Sequence, residues 1–423
     1  MVKGGEVMVR LSAGDIDFAL AELAGLSEVR RELPFPVEEY ERRQALTRER
    51  MVEAGLDLLV VSSPEGIAWL CGHALRWNKG QSPTAWPALQ CLVLRAGQER
   101  SILFETAEHE HMIRAYSMVE DFRLSEAEDL DRVLAHIVGE LAGEGWLSGV
   151  VGVEKWSYIP NRAVGEAMEA ALRERGVVDV VDASVLMRRV RSAKSDLELA
   201  YIERAAAAVD AGLLALEGVI RPGVREIDLW VELMRGMVAA GGEPAGLHEL
   251  VTFSHQAGHA FSGQRRLRIG DYIHADPCGV VNHYHMNVAM TWYVGELPEE
   301  ARRLSEVAAG AYDVLCNVVK AGTTHGEASR ALRAYYEDAG SYGTGIHNWT
   351  GGYELGLSFP PDWVGEAVFT VGEDDDSEEV FLENQVFNYE SIVHYSMIDT
   401  FVVGREGSRT LSGLPHGIRE VQV

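Results

Sequence analysis

The sequence predicts two joined domains, an α/β domain followed by an α+β domain, and three observations lead there. From about residue 37 to 185, short apolar runs alternate with segments of helical length, the pattern of β-α units. Beyond about 186 the pattern changes to paired long helices, hairpin-like strands and glycine-rich strands. Between them, residues 180–195 form the natural break. The predicted domains are therefore 1–185, with 1–36 as an N-terminal arm, and 186–423.

Each element follows in order. Residues 1–36 hold an amphipathic segment and end at Pro34-Phe-Pro36, which suggests an arm packed on the body. A helix is expected over 37–54, closed by Gly55. The run from Gly55 to Ser63 reads as a buried strand, as do Ala88–Gly97 and Arg100–Glu105. Helices are expected near 124–144 and 161–175, then a strand at Val177–Ser184. Asp196 opens a strongly periodic helix over 195–219, stopped by Arg221-Pro222-Gly223, and another covers 224–240. Gly270–Val281 and Asn282–Glu296 read as consecutive strands of a hairpin. Helices return at 298–320 and 325–339, split by Lys320-Ala-Gly-Thr, and glycine-rich strands run through 343–404. The acidic run 373–379 is expected to be a solvated loop.

Composition excludes several classes. The chain has 423 residues, 47% hydrophobic and 24% charged, which is ordinary for a globular protein. Its formal net charge of −27 argues against nucleic acid and against docking on anionic membranes. No run approaches the length of a membrane span, and no signal region opens the chain. The four cysteines, Cys71, Cys91, Cys278 and Cys316, form no CxxC pattern and suit reduced core thiols in a cytoplasmic protein.

Four segments of the second half together resemble the pita-bread (M24 peptidase-like) family. They are Arg191-Ser-Ala-Lys194-Ser-Asp-Leu-Glu198, Gly270-Asp271-Tyr-Ile-His-Ala-Asp276, Val319-Lys-Ala-Gly-Thr and Gly352-Tyr-Glu-Leu-Gly-Leu. The resemblance covers about 190–415. It implies a creatinase-type N-terminal α/β domain before a pita-bread catalytic domain. Metallopeptidases of this family hold two metals with two aspartates, one histidine and two glutamates. The matching positions here are Asp276, Asn287, Tyr353, Glu390 and Ile398. Two of the five keep an anionic donor, so the resemblance points to the metal-free branch of creatinase and ectoine hydrolase, with no metal and no cofactor.

Within that branch, a catalytic histidine stands twelve residues before the aspartate of the Gly-Asp turn, and His259 stands at that distance from Asp271. The resemblance implies that His259 moves protons, while Glu390 and Asp276 hold a positively charged substrate. The carboxylate-clamping arginines of creatinase fall on Tyr353 and near Trp86, so creatine itself is disfavoured. Tyr353, Trp86, His285 and Trp349 are the expected substrate contacts; Trp77, Trp292 and Trp363 are further aromatics that could line a pocket. The expected activity is hydrolysis of a C–N bond in a small amidine, guanidine or cyclic amide, by a homodimer. A metallo-dipeptidase of Xaa-Pro type, a non-catalytic binding module and a lyase remain as alternatives.

Overall fold

A computed structural model describes residues 11–25, 30–74, 89–126, 129–246, 250–253 and 260–422. The chain divides into two compact units, Met1–Met187 and Arg188–Val423.

In the first unit the elements are α1 (Ala13–Gly25), α2 (Val37–Glu53), β1 (Leu58–Val61), α3 (Pro64–Cys71), β2 (Cys91–Arg95), β3 (Ser101–Thr106), α4 (Glu110–Tyr116), β4 (Phe122–Ser125), α5 (Leu130–Gly143), β5 (Val150–Val153), α6 (Arg162–Glu174) and β6 (Asp179–Asp182). The six strands form one mixed sheet in the order β4-β3-β2-β1-β5-β6, with all of β1 and Cys91–Leu94 of β2 apolar and buried. Three details depart from expectation. The helix expected from 124 begins at Leu130, because Asp129 caps it and β4 occupies Phe122–Ser125. The short strand β5 and helices α3 and α4 were not anticipated. The arm packs only in part: Phe35 is 5% exposed and the Glu32 N–H donates to the Ala115 carbonyl at 2.7 Å, whereas Ile16, Leu20 and Leu23, on one face of α1, are 50%, 58% and 61% exposed.

The chain passes between units within α7 (Ser184–Arg189). The second unit contains α8 (Asp196–Glu217), α9 (Glu226–Ala239), β7 (Val251–Thr252), β8 (Tyr272–Ala275), β9 (Cys278–Val281), β10 (Tyr284–Asn287), β11 (Met290–Val294), α10 (Glu299–Val318), α11 (His325–Asp338), β12 (Gly351–Tyr353), β13 (Val368–Thr370), β14 (Val386–Val393), β15 (Tyr395–Val403), β16 (Ser408–Thr410) and β17 (Arg419–Val421). One sheet runs β17-β11-β8-β7 and another β13-β12-β14-β15-β16, with β9 and β10 as a separate hairpin.

The expected two-strand hairpin is thus four strands. Pro277 has no N–H to offer and interrupts the first run, so β8 pairs with β11 and β9 with β10. Asn282 and His283, at φ 51° and 66°, make the two-residue turn of the inner pair. Ser195 and Glu198 form a reciprocal cap on α8, and Glu198 also accepts from the Tyr284 hydroxyl at 2.9 Å, tying helix to hairpin. An aromatic core of Tyr312, Tyr336, Phe369, Phe381, Phe387, Tyr389 and Phe401 packs one face of the five-stranded sheet on α10 and α11. The acidic loop is less solvated than expected, since Asp375 binds Arg333 at 2.7 Å and accepts from Ser329 at 2.6 Å. All four cysteines are free thiols. No helix among the described residues is long and apolar enough to cross a membrane.

Candidate active site

Strand alternation decides what can meet in the second unit. On β14, Tyr389 points to Tyr312 of α10, so its neighbours Asn388 and Glu390 point the other way. Ile398 is directly opposite Glu390 on β15, and Gly351 opposite it on β12. On the other sheet Asp276 extends the ladder beyond β8, its N–H donating to the Leu250 carbonyl at 3.0 Å. The bridge between Ala289 and Ile398 links the two sheets at this level.

A line of hydrogen bonds then crosses from one carboxylate to the other. Asn287 Nδ2 donates to Asp276 Oδ1 at 2.9 Å. Asn388 Nδ2 donates to Asn287 Oδ1 at 3.2 Å and lies 3.2 Å from Glu390 Oε1. Asn388 Oδ1 in turn accepts the Tyr353 backbone N–H at 2.8 Å. Asn287 is held in place by Thr400, whose hydroxyl accepts its N–H at 3.0 Å and donates to its carbonyl at 2.7 Å. An aspartate at 287 would face Asp276 with a second negative charge; the carboxamide presents a donor instead.

The electrostatics follow from burial. The Glu390 carboxyl is pushed from an ordinary value near 4.5 up to about 7, first by burial and then by the charge of Asp276, against hydrogen bonds from Asn388 and Tyr353. Among the described residues, none of the groups that move it is a cation. Burial and the same two carboxylates raise the Tyr353 phenol well above its usual value, so it remains a neutral donor. Its oxygen also accepts from Trp363 Nε1 at 3.3 Å. The Cys278 thiol is likewise raised, by burial and by Asp276.

Tyr353 is held from behind. The next residue, Glu354, forms a buried ion pair with Lys194 at 2.5 Å, each side chain 3% exposed. Lys194 Nζ also donates to the Ser192 carbonyl at 2.8 Å.

The structure therefore brings together Asp276, Tyr353 and Glu390. His259 and Trp86 lie outside the described residues, as does Trp77. His285 shares a face of β10 with Asn287, is 1% exposed and is pushed down to about 4 by burial, hence neutral. Its Nδ1–H donates to the His283 carbonyl at 2.9 Å and Nε2 accepts from the Gly246 N–H at 3.4 Å, so both nitrogens serve the backbone. Trp349 is 40% exposed and donates to Thr370 on β13 at 3.3 Å. Trp292 points away, to Glu217 on α8 at 2.9 Å. Sequence reading missed Asn388 and the Lys194–Glu354 pair. Their only signal was their position inside motifs: Asn388 beside Glu390, Glu354 beside Tyr353, and Lys194 in the Arg191–Glu198 segment.

Comparisons with known proteins accord with this architecture. Residues 42–193 match the creatinase/prolidase N-terminal domain, and residues 200–410 match metallopeptidase family M24. Ectoine hydrolase of Halomonas elongata is 28% identical over 366 residues, covering 82% of this chain and 87% of the relative. The probable dipeptidase PepE of Mycobacterium tuberculosis is 23% identical over 398 residues, covering 92% and 98%. The dipeptidase structure from Pyrococcus horikoshii superposes with a TM-score of 0.73 at 18% identity, covering 90% of this chain and all of that one.

The M24 description implies metals, and the donor set can be tested against them. The five positions converge, but they offer two carboxylates, one carboxamide, one phenol and one hydrocarbon. Among the described residues, no group of three or more His, Cys, Asp or Glu side chains could hold a metal ion. A pair of divalent ions needs several anionic or imidazole donors, including bridging carboxylates, and this set does not fit it.

Proposed function

The chain belongs to metallopeptidase family M24, with a creatinase/prolidase-type domain ahead of it, and on that premise we propose that it hydrolyses a C–N bond of a small amidine, guanidine or cyclic amide without a metal pair. The observation that carries the reading is the amide line across the site: Asn287 and Asn388 sit between Asp276 and Glu390, where a metallopeptidase would place ions. The similarity to an ectoine hydrolase supports it.

Glu390 and Asp276 attract a cationic head, because two buried carboxylates favour an amidinium and disfavour a free carboxylate. The neutral Tyr353 phenol and the Trp363 ring shape the same pocket. His259 takes a proton from water as the water oxygen adds to the amidine carbon. The C–N bond breaks, and that proton passes to the leaving nitrogen. The protein works in the cytoplasm as a homodimer.

The dipeptidase relatives support a peptidase reading instead, and it would require ligands at 287, 353 and 398 that this chain lacks. A thermal-shift screen over guanidines, amidines, cyclic amides, Xaa-Pro dipeptides and dicarboxylates separates the two. Stabilisation by the first three classes is expected; stabilisation by dipeptides only with added manganese or cobalt would overturn the proposal.

A further inference from the structure

His274 is a buried polar group that the proposed mechanism does not use. It lies on β8, 2% exposed, with Thr291 directly opposite on β11. Its Nδ1 is 3.1 Å from the Thr291 hydroxyl, which fixes the ring. Its Nε2 has no hydrogen-bond partner among the described residues. A buried donor or acceptor left alone is costly, and such groups in native proteins are normally met by a ligand or an ordered water.

Its position says which. Side chains two residues apart on a strand share a face, so His274 and Asp276 look the same way, about 6.6 Å apart along the chain. That face is turned toward the sheet of Glu390: Tyr272, two residues before His274, meets Tyr395 of β15 hydroxyl to hydroxyl at 3.0 Å. Thr291 lies two residues beyond Ala289, whose backbone bridges Ile398, the residue opposite Glu390. The opposite face of β11 is already filled, Trp292 reaching α8.

We propose that His274, oriented by Thr291, is a second polar subsite that takes a neutral hydrogen-bonding substituent of the substrate, a carbonyl or carboxamide borne about one short chain-length from the cationic head. This rests on the reading that Asp276 and Glu390 bind that head. A carboxamide carries both an acceptor and a donor, so it pairs with Nε2 in either tautomer. The subsite makes the enzyme prefer substituted over bare amidines.

The test is calorimetric titration with methylimidazoline and with the same ring bearing a carboxamide. The wild type should bind the carboxamide more tightly by roughly fivefold to tenfold, the worth of one hydrogen bond. His274→Leu with Thr291→Val removes both partners and leaves no orphan. It should keep its Tm and bind the two rings equally. His274→Gln alone, which retains an amide, should keep part of the preference and serves if the double variant does not fold. A wild type with no preference, or a double variant that retains it, overturns the subsite; the head-group reading then still stands if Glu390→Gln weakens both rings. If neither ring binds the wild type, both ideas fall together.

Discussion

Replacing Lys194 with methionine should destabilise the second unit by about 3–5 kcal/mol, the usual cost of stripping one partner from a buried ion pair. The structure explains why the cost should be of that size. Lys194 and Glu354 are both 3% exposed and 2.5 Å apart. Without the ammonium, the Glu354 carboxylate keeps, among the described residues, a long contact from the Ala367 N–H at 3.4 Å. The lysine stem also passes over Gly356, where a Cβ would lie 3.0 Å from its Cε, so methionine retains the packing and isolates the charge. For a unit of this size each kcal/mol moves Tm by about 2–4 °C, giving a fall of about 6–20 °C. Urea unfolding followed by far-UV circular dichroism would measure it. The double variant Lys194→Met, Glu354→Leu should recover most of the loss, because no charge is left buried. Because an unpaired carboxylate at Glu354 would disturb the backbone next to Tyr353, ligand affinity should fall in the single variant and return in the double. A loss below about 1 kcal/mol, or a double variant no better than the single, would show that the buried pair does not hold this region together.

Three other outcomes follow from the site. The folded state holds the Glu390 proton up to about pH 7 while the unfolded chain releases it near 4.5. Stability should therefore decline as pH rises through that window, by at most about 3 kcal/mol, and Glu390→Gln should flatten the decline in pH-dependent unfolding. Affinity for an amidinium should increase as pH rises through about 7 in calorimetric titrations, when the carboxyl ionises, and Glu390→Gln should abolish the increase. His259→Ala should lower turnover by roughly a hundredfold or more while leaving ligand binding largely intact, as expected of a proton-transfer group, and steady-state kinetics with calorimetry would separate the two effects.

Local pattern made much of the fold legible. The apolar runs of β1, β2 and β3 and the capped periodic helices α8 and α11 announce themselves within a few residues. What escaped depends on less local physics. β5 is four residues, Val150-Val-Gly-Val153, too short to display a period, and owes its existence to parallel pairing with β1 and β6. Helix α1 has an apolar stripe, but a stripe alone does not supply a surface to cover it. At the site, Asp276, Tyr353 and Glu390 could be found because their motifs are contiguous. The bonds of Asn287 with Asn388, and of Lys194 with Glu354, join residues 101 and 160 positions apart, and only the tertiary fold brings them together. Asn287 reads from sequence as a failed metal ligand; in the fold it is a donor that settles Asp276. His274 carried no signal beyond its place two residues before Asp276.

The proposed reaction is C–N hydrolysis of a cationic amidine-type substrate without a metal pair. The most direct measurement is turnover of cyclic amidines and guanidines by protein dialysed exhaustively against a chelator, with metal content determined on the same sample and Xaa-Pro dipeptides assayed in parallel with and without manganese or cobalt. The expected result is well under one equivalent of transition metal, undiminished amidine or guanidine hydrolysis, and no dipeptide cleavage under either condition. Stoichiometric metal surviving the chelator, or dipeptide cleavage that appears on adding manganese or cobalt, would contradict it.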